Sequence, residues 1–298
     1  MGDIVLKCLL TGGNAFVSKT IGPALAAAGH ELTVCLRPGR PIPKWADAGP
    51  GVITTRAVDL ADVGGVLDLV TGHSFIIHVA ARVEDPTAPQ SLFERDNSRA
   101  TQALADAAVA AGCAGVINFS SMSVYGEISA SVADATTPST NPTAYGASKL
   151  AGEQTLRRVA ATLPSVSLRL PGIVGPNAHG NWLARSRAAL RAGDPVTLNN
   201  PDFPFNNAVH VEDLAEFVVS LCAREWSGFH AFPIGAGDPL TVISVMERLK
   251  AATGSTSSIT ISDAERQAYT ISSDTAIRDF GYRPASMADI IDRFASDA

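Results

Sequence analysis

Cysteine is scarce and scattered. The four residues, Cys8, Cys35, Cys113 and Cys222, never come closer than 27 positions in the 298-residue chain. That spacing excludes a zinc knuckle and a CxxC redox pair, and a reducing compartment fits such usage. Charge is thin as well, at 17% of residues, below the usual quarter. No apolar run is long enough to span a bilayer. The opening residues, Met1 to Lys7, lack the basic segment and apolar stretch of a signal peptide. Leu6 stands where a myristoylation pattern needs Ser or Thr. A cytoplasmic protein without a membrane partner is the expectation. Basic residues number 23 against 29 acidic, a net charge of −6, so a nonspecific nucleic-acid binder is not expected.

What the chain does have is apolar content, 46%, and length for one large or two modest cores. Short apolar runs alternate with helical spacing through the first half. Strands are expected over 4–10, 31–36, near 52–58, 75–79, 115–120 and 165–170. Helices are expected over 17–28, 91–111 and 144–162. Strands alternating with helices imply right-handed crossovers and an α/β fold, a Rossmann-type doubly wound parallel sheet. After residue 170 the pattern loosens, with helices at 181–192, 212–223, 241–252 and 286–296 and a strand at 229–234. The expected division is a Rossmann domain over 1–170, rejoined by part of 205–235, and a smaller, discontinuous C-terminal lobe over 171–298.

The turn between the first strand and helix reads Thr11-Gly12-Gly13-Asn14-Ala15-Phe16-Val17-Ser18. Such turns present backbone N–H groups to a dinucleotide pyrophosphate at a helix N-terminus. Gly12 keeps the first position of a T-G-x-x-G-x-x-G pattern, while Ala15 and Ser18 replace the other glycines. The second strand ends in Leu36-Arg37-Pro38-Gly39-Arg40, with no carboxylate for a ribose 2′-hydroxyl. Arg37 and Arg40 suit a 2′-phosphate, the alternative being two solvated loop arginines. NADP is therefore favoured over NAD. Asp59, followed by Leu60, either approaches the adenine or caps the next helix.

Tyr145-Gly146-Ala147-Ser148-Lys149 places Tyr145 and Lys149 one turn apart on a helical face. An ammonium beside a phenol favours the phenolate and tunes it for proton exchange. Ser120, Ser121 and Ser123 lie at the carboxyl end of the fifth strand, where such sheets bind ligands. A hydroxyl there can donate to a carbonyl gaining charge, and three serines compete for the role. Asn97 and Thr101 are one turn apart on the preceding helix. No metal site is apparent.

Together these segments resemble the extended short-chain dehydrogenase/reductase family, the NAD-dependent epimerase/dehydratase group. His78-Val79-Ala80-Ala81, Arg169-Leu170-Pro171, Gly175-Pro176, His210-Val211-Glu212-Asp213 and Gly281-Tyr282-Arg283-Pro284 follow in family order. The resemblance implies a cofactor held by Gly12, Asn14, Ala15, Phe16, Val17, Arg37, Asp59, Leu60, Ala80, Ala81, Asn97, Ser120, Tyr145, Lys149 and Pro171. It implies Tyr145 as acid/base, Lys149 as the group lowering its pKa and holding the nicotinamide ribose, and Ser121 as the catalytic serine. Ser121, Ser123, Asn181 and Asn207 would meet the substrate. That substrate would be a nucleotide sugar, its diphosphate near Asn181 with Asn206 or Asn207 beside it, and Arg185, Arg187 and Arg191 are candidates to compensate for an arginine that relatives carry at position 206. A homodimer is implied as well. Two alternatives stand beside this nucleotide-sugar epimerase or reductase: an NADPH-dependent reductase of a non-nucleotide ketone or aldehyde, and a non-catalytic dinucleotide sensor or structural protein.

Overall fold

The structure is a computed structural model that describes residues 5–46, 53–264 and 266–297. Seven strands form the main sheet: β1 (Lys7–Thr11), β2 (Glu31–Leu36), β3 (Ile53–Ala57), β4 (Phe75–His78), β5 (Gly115–Ser121), β6 (Ser165–Leu170) and β7 (Phe229–Pro233). Their order is β7-β6-β5-β4-β1-β2-β3. β1 runs parallel to both β2 and β4, with Leu9 beside Thr33 and Ile76. The inner strands are continuous apolar runs, β4 buried at every residue, as a sheet covered on both faces requires. The edge strand β3 is half exposed and polar. Strand order reverses between β1 and β4, which opens a crevice at their carboxyl ends. Ile4 and Val52, expected at the ends of the first and third strands, lie outside the described residues.

Helices α1 (Ser18–Ala27), α2 (Val63–Val70), α3 (Gln90–Phe93), α4 (Ala100–Ala111) and α5 (Ala144–Arg158) alternate with these strands. The stretch expected as one helix over 91–111 is interrupted: Glu94–Arg99, between α3 and α4, is a π-helix. α4 ends at Gly112, whose φ of 69° closes the helix in the left-handed conformation. The core of this part packs Leu9, Ile76 and Val116 against Leu69, Ala103, Leu104 and Leu156.

The chain divides into two compact units. The first comprises residues 1–126, 141–169 and 215–231, the second residues 127–140, 170–214 and 232–298. In the second, four small strand pairs are present: 132–133 with 270–271, 172–174 with 208–210, 196–198 with 259–261, and 204–205 with 240–241. Helices α6 (Trp182–Ala192), α7 (Val211–Cys222), α8 (Val242–Thr253), α9 (Asp274–Phe280) and α10 (Met287–Ser296) complete the chain. The core of the second unit gathers Leu183, Leu190, Met246, Leu249, Ile291 and Phe294.

Candidate functional site

The glycine loop is shaped by contacts that tolerate no side chain at one point. Gly12 has φ +76°, and a Cβ there would lie 2.8 Å from the backbone N and Cα of Ala80. The loop therefore runs against the chain leaving β4, and only glycine allows both the angle and the approach. Ser18, at the third glycine position, is buried, and its hydroxyl donates to the Gly12 carbonyl at 3.0 Å. The missing glycine is replaced by a hydrogen bond across the loop. Asn14 donates to the Pro41 carbonyl at 3.0 Å. Val17 begins α1 with no side-chain cap, and the first turn carries no acidic residue.

At the carboxyl end of β5, Ser121 accepts from the Ser123 N–H at 3.1 Å and is hydrogen-bonded to the Tyr145 hydroxyl. Tyr145 rides on α5, whose first turn is capped by Thr143, the hydroxyl oxygen accepting from Gly146 N–H. Phe93 meets the Tyr145 ring edge-on, with centroids 6.3 Å apart. Lys149, one turn on, is buried. Burial pushes the Tyr145 hydroxyl above its ordinary range, the Ser121 hydrogen bond pulls it down and Glu84 pushes it up. Lys149 is itself desolvated, and burial brings it down to about 8 against a pull from Glu153.

α5 meets the serine loop at Gly146. A Cβ there would lie 2.8 Å from the Ser123 carbonyl carbon and closer still to its oxygen. Gly146→Ala is therefore expected to cost about 1–3 kcal/mol by overpacking. It also drives Tyr145 from Ser121. Thermal unfolding compared with Ala147→Ser, an exposed neighbour, measures the difference.

Behind the pair stands a buried frame. Asn97 accepts from the Arg82 N–H at 2.7 Å and donates to the Arg82 carbonyl and to the Ser148 hydroxyl. Ser148 donates to the Tyr145 carbonyl at 2.7 Å. His78 bridges the hydroxyls of Thr11 (2.8 Å) and Thr101 (3.1 Å). Burial, helped by Lys149, lowers its pKa to about 3, so the imidazole is neutral. Thr11 also accepts from Ala80 N–H. β1, β4 and α4 are thereby joined beneath the glycine loop. Leu60 packs in the core, and Ala81 is exposed.

Ser120 precedes Ser121 on β5. It is buried, and its hydroxyl donates to Glu153 at 2.6 Å. Glu153 also accepts from Arg169, at 3.1 Å to Nε and 2.8 Å to Nη2. The Arg169 guanidinium lies 4.8 Å over the Tyr125 ring. Sequence reasoning passed over Glu153, although it follows Lys149 by four residues on the same helix, a spacing that puts both on one face.

A second charged group joins the ends of β2, β3 and β4. The Asp96 side chain, 3% exposed, is 3.0 Å from Arg37 Nη2. It accepts from Arg82 at 2.9 and 2.7 Å and from Arg95 at 2.6 Å. Burial pushes the Asp96 carboxyl up, and Arg37 and Arg82 more than offset it, holding it below the ordinary carboxylate range. Arg95 pairs with Asp59 as well. Asp59 also accepts from Ala61 N–H, and its pKa is lowered chiefly by that bond. Nothing in the sequence spacing announced Asp96 or Arg82.

In the second unit, several residues expected at a phosphate serve the fold. Asn181 is the N-cap of α6, accepting from Ala184 N–H at 2.9 Å and donating to the Ile173 carbonyl at 2.7 Å. Asn206 donates to the carbonyls of Ala236 and Ile271 and accepts from Ile271 N–H, fully buried. Arg187 and Arg191 bind the last carbonyls of the chain's final helix, at Phe294, Ala295 and Asp297, where a cation meets the negative end of a helix dipole. Arg185 turns back to the Gly180 carbonyl. Of the three, Arg187 is buried, while Arg185 and Arg191 are exposed. The Asn207 amide oxygen is buried without a hydrogen-bond partner. Pro171 directly follows β6. Among the described residues, no group of three His, Cys, Asp or Glu side chains is placed to hold a metal. No described helix is long and apolar enough to cross a membrane.

Comparison with known proteins adds relatives to this geometry. The pattern of the NAD dependent epimerase/dehydratase family matches residues 8–235. A UDP-glucose 4-epimerase of Corynebacterium glutamicum is 27% identical over 277 residues, covering 84% of this chain and 81% of that one. A ceramide reductase of Caulobacter vibrioides is 32% identical over 213 residues, covering 72% of this chain and 60% of that one. Among solved structures, a dTDP-glucose 4,6-dehydratase from Streptomyces venezuelae with NAD bound superposes with a TM-score of 0.81, at 25% identity, over 97% of this chain and 96% of that one.

Proposed function

The chain belongs to the NAD-dependent epimerase/dehydratase family, enzymes of the extended short-chain dehydrogenase/reductase type, and on that footing we propose that it oxidises or reduces a secondary alcohol or ketone of a nucleotide sugar. The observation that carries this reading is the Ser121–Tyr145 hydrogen bond, with buried Lys149 one turn away at the carboxyl end of β5. A scaffold has no need of a phenol so placed.

The loop fits a nicotinamide dinucleotide. Gly12 allows a backbone approach that any Cβ would block, and α1 opens without a competing side-chain cap or acidic residue. Backbone groups of Gly12 to Val17 would hold the pyrophosphate, as helix N-termini hold anions. Lys149 and Asn97 would flank the nicotinamide end. The bound cofactor supplies the hydride. The chain supplies the proton: Tyr145 Oη gives it to, or takes it from, the substrate oxygen, and Ser121 holds that oxygen by hydrogen bonding. Lys149, charged below a pH of about 8, offers a cation beside the ribose at neutral pH. NADPH is the preferred form, because β2 ends in Leu36-Arg37 without an acid and Arg37 is half exposed. Four free cysteines suit a reducing, cytoplasmic setting.

One observation favours a second reading, the reduction of a ketone without a nucleotide. Asn181, Asn206, Arg187 and Arg191 are engaged by the fold. The unpartnered Asn207 oxygen is an acceptor, suited to a hydroxyl or amide donor and not to a phosphate oxygen. Calorimetric titration separates the two. With cofactor present, saturable binding of UDP, TDP or GDP is expected for a nucleotide-sugar enzyme. No binding of any at millimolar concentration returns the ketone reductase. Tighter binding of NADPH than NADH is expected in either case, and the reverse order overturns the cofactor preference.

A further inference from the structure

Asp96 is paired with Arg37, which directly follows β2, where dinucleotide folds meet the adenosine ribose, yet the carboxylate's capacity is already filled. One oxygen receives Arg37 and Arg95, the other receives Arg82 twice. A carboxylate has about four lone-pair sites, so no acceptor remains for a ribose. The arginines come from separate elements: Arg37 after β2, Arg82 beyond β4, Arg95 in the π-helical segment. Asp59, after β3, takes Arg95 as well. Three guanidinium groups against two carboxylates leave one net positive charge. Its outward part carries more cation than carboxylate: the Arg37 and Arg95 side chains are 50% and 44% exposed, Asp59 is 34% exposed and Asp96 is buried.

We propose that Asp96 is a specificity-determining positioning residue: it binds Arg37, Arg82 and Arg95 into a fixed cationic group that takes the 2′-phosphate of the dinucleotide. The inference rests on the dinucleotide reading above. A free arginine loses side-chain entropy when it grips a phosphate, whereas one already held by a buried carboxylate has lost most of that freedom on folding. Asp96 therefore contributes by placement and opposes by charge. The two effects have opposite signs, which makes them separable.

The experiment measures calorimetric affinities for adenosine 2′,5′-bisphosphate and adenosine 5′-monophosphate, which differ only in the 2′-phosphate. The wild type is expected to favour the bisphosphate. Asp96→Asn and Asp96→Glu are each expected to lower bisphosphate affinity about tenfold, the scale of one charged hydrogen bond, with the monophosphate affected far less. Asp96→Glu keeps the charge and shifts the carboxylate by one methylene, so it carries the test alone if Asp96→Asn does not fold. Adding Arg37→Ala should remove most of either effect, since Asp96 acts through that side chain. Bisphosphate binding that is unchanged in Asp96→Glu, or tighter in Asp96→Asn, overturns the inference. A wild type that binds both nucleotides equally overturns it too and leaves the dinucleotide reading standing. A wild type that binds neither of them, nor NADH, overturns both.

Discussion

Tyr145→Phe is expected to lower turnover about 10²–10⁴-fold, the usual contribution of a positioned acid or base. The substitution removes one oxygen and keeps the ring. Its edge contact with Phe93 survives, and so does the helix start capped by Thr143. Cofactor affinity is therefore expected to stay within about twofold of wild type, so the loss falls on kcat and not on binding. Steady-state kinetics on the accepted substrate, with cofactor binding followed by fluorescence, measures both. A fall of less than about tenfold with chemistry still rate-limiting would remove Tyr145 from the acid/base role.

Glu153→Ala is expected to have the largest effect on stability. It leaves the Arg169 guanidinium, which donates two hydrogen bonds to that carboxylate, buried beside Tyr125 without its counter-charge. The Ser120 hydroxyl loses its acceptor at the same time. Breaking a buried ion pair by removing one partner costs about 3–5 kcal/mol. For a chain of this size that corresponds to a fall of roughly 10 °C in Tm. Replacing both members, Glu153→Met with Arg169→Met, removes the stranded charge and is expected to recover most of the loss, since apolar replacement of a whole buried pair is often neutral. Differential scanning calorimetry on the single and double variants tests this, and a double variant as unstable as the single would show that packing, not charge, sets the loss.

The strands, most helices and the Ser/Tyr/Lys cluster were legible in the sequence because each rests on local signals. Apolar runs of strand length, a glycine at a helix end and the spacing of Tyr145 and Lys149 need no knowledge of distant chain. Most of the contacts that the sequence does not announce depend on partners far away. Arg187 and Arg191 look like the polar side of an amphipathic helix until the final carbonyls, more than a hundred residues on, come to meet them. Asn206 clasps Ile271 across 65 positions. Asn181 differs, because Asn just before a helix is a local capping signal. Asp96 gathers arginines from three elements, an arrangement that only the closed sheet creates.

The π-helical turn at Glu94–Arg99 carries a consequence for inheritance. A turn of this kind holds one residue more than a regular one, and each residue of an α-helix rotates the chain by about 100°. Loss of a single codon in this segment would leave an uninterrupted helix, outwardly better formed. α4 would keep its face, because Thr101 is tied to His78 and packs beside Gly152. Everything before the lost residue would turn by roughly 100°, carrying Arg95 and Asp96 away from Arg37, Arg82 and Asp59. A lineage could therefore substitute residues across this segment one at a time, but could not shorten it by one without giving up the charged group it displays.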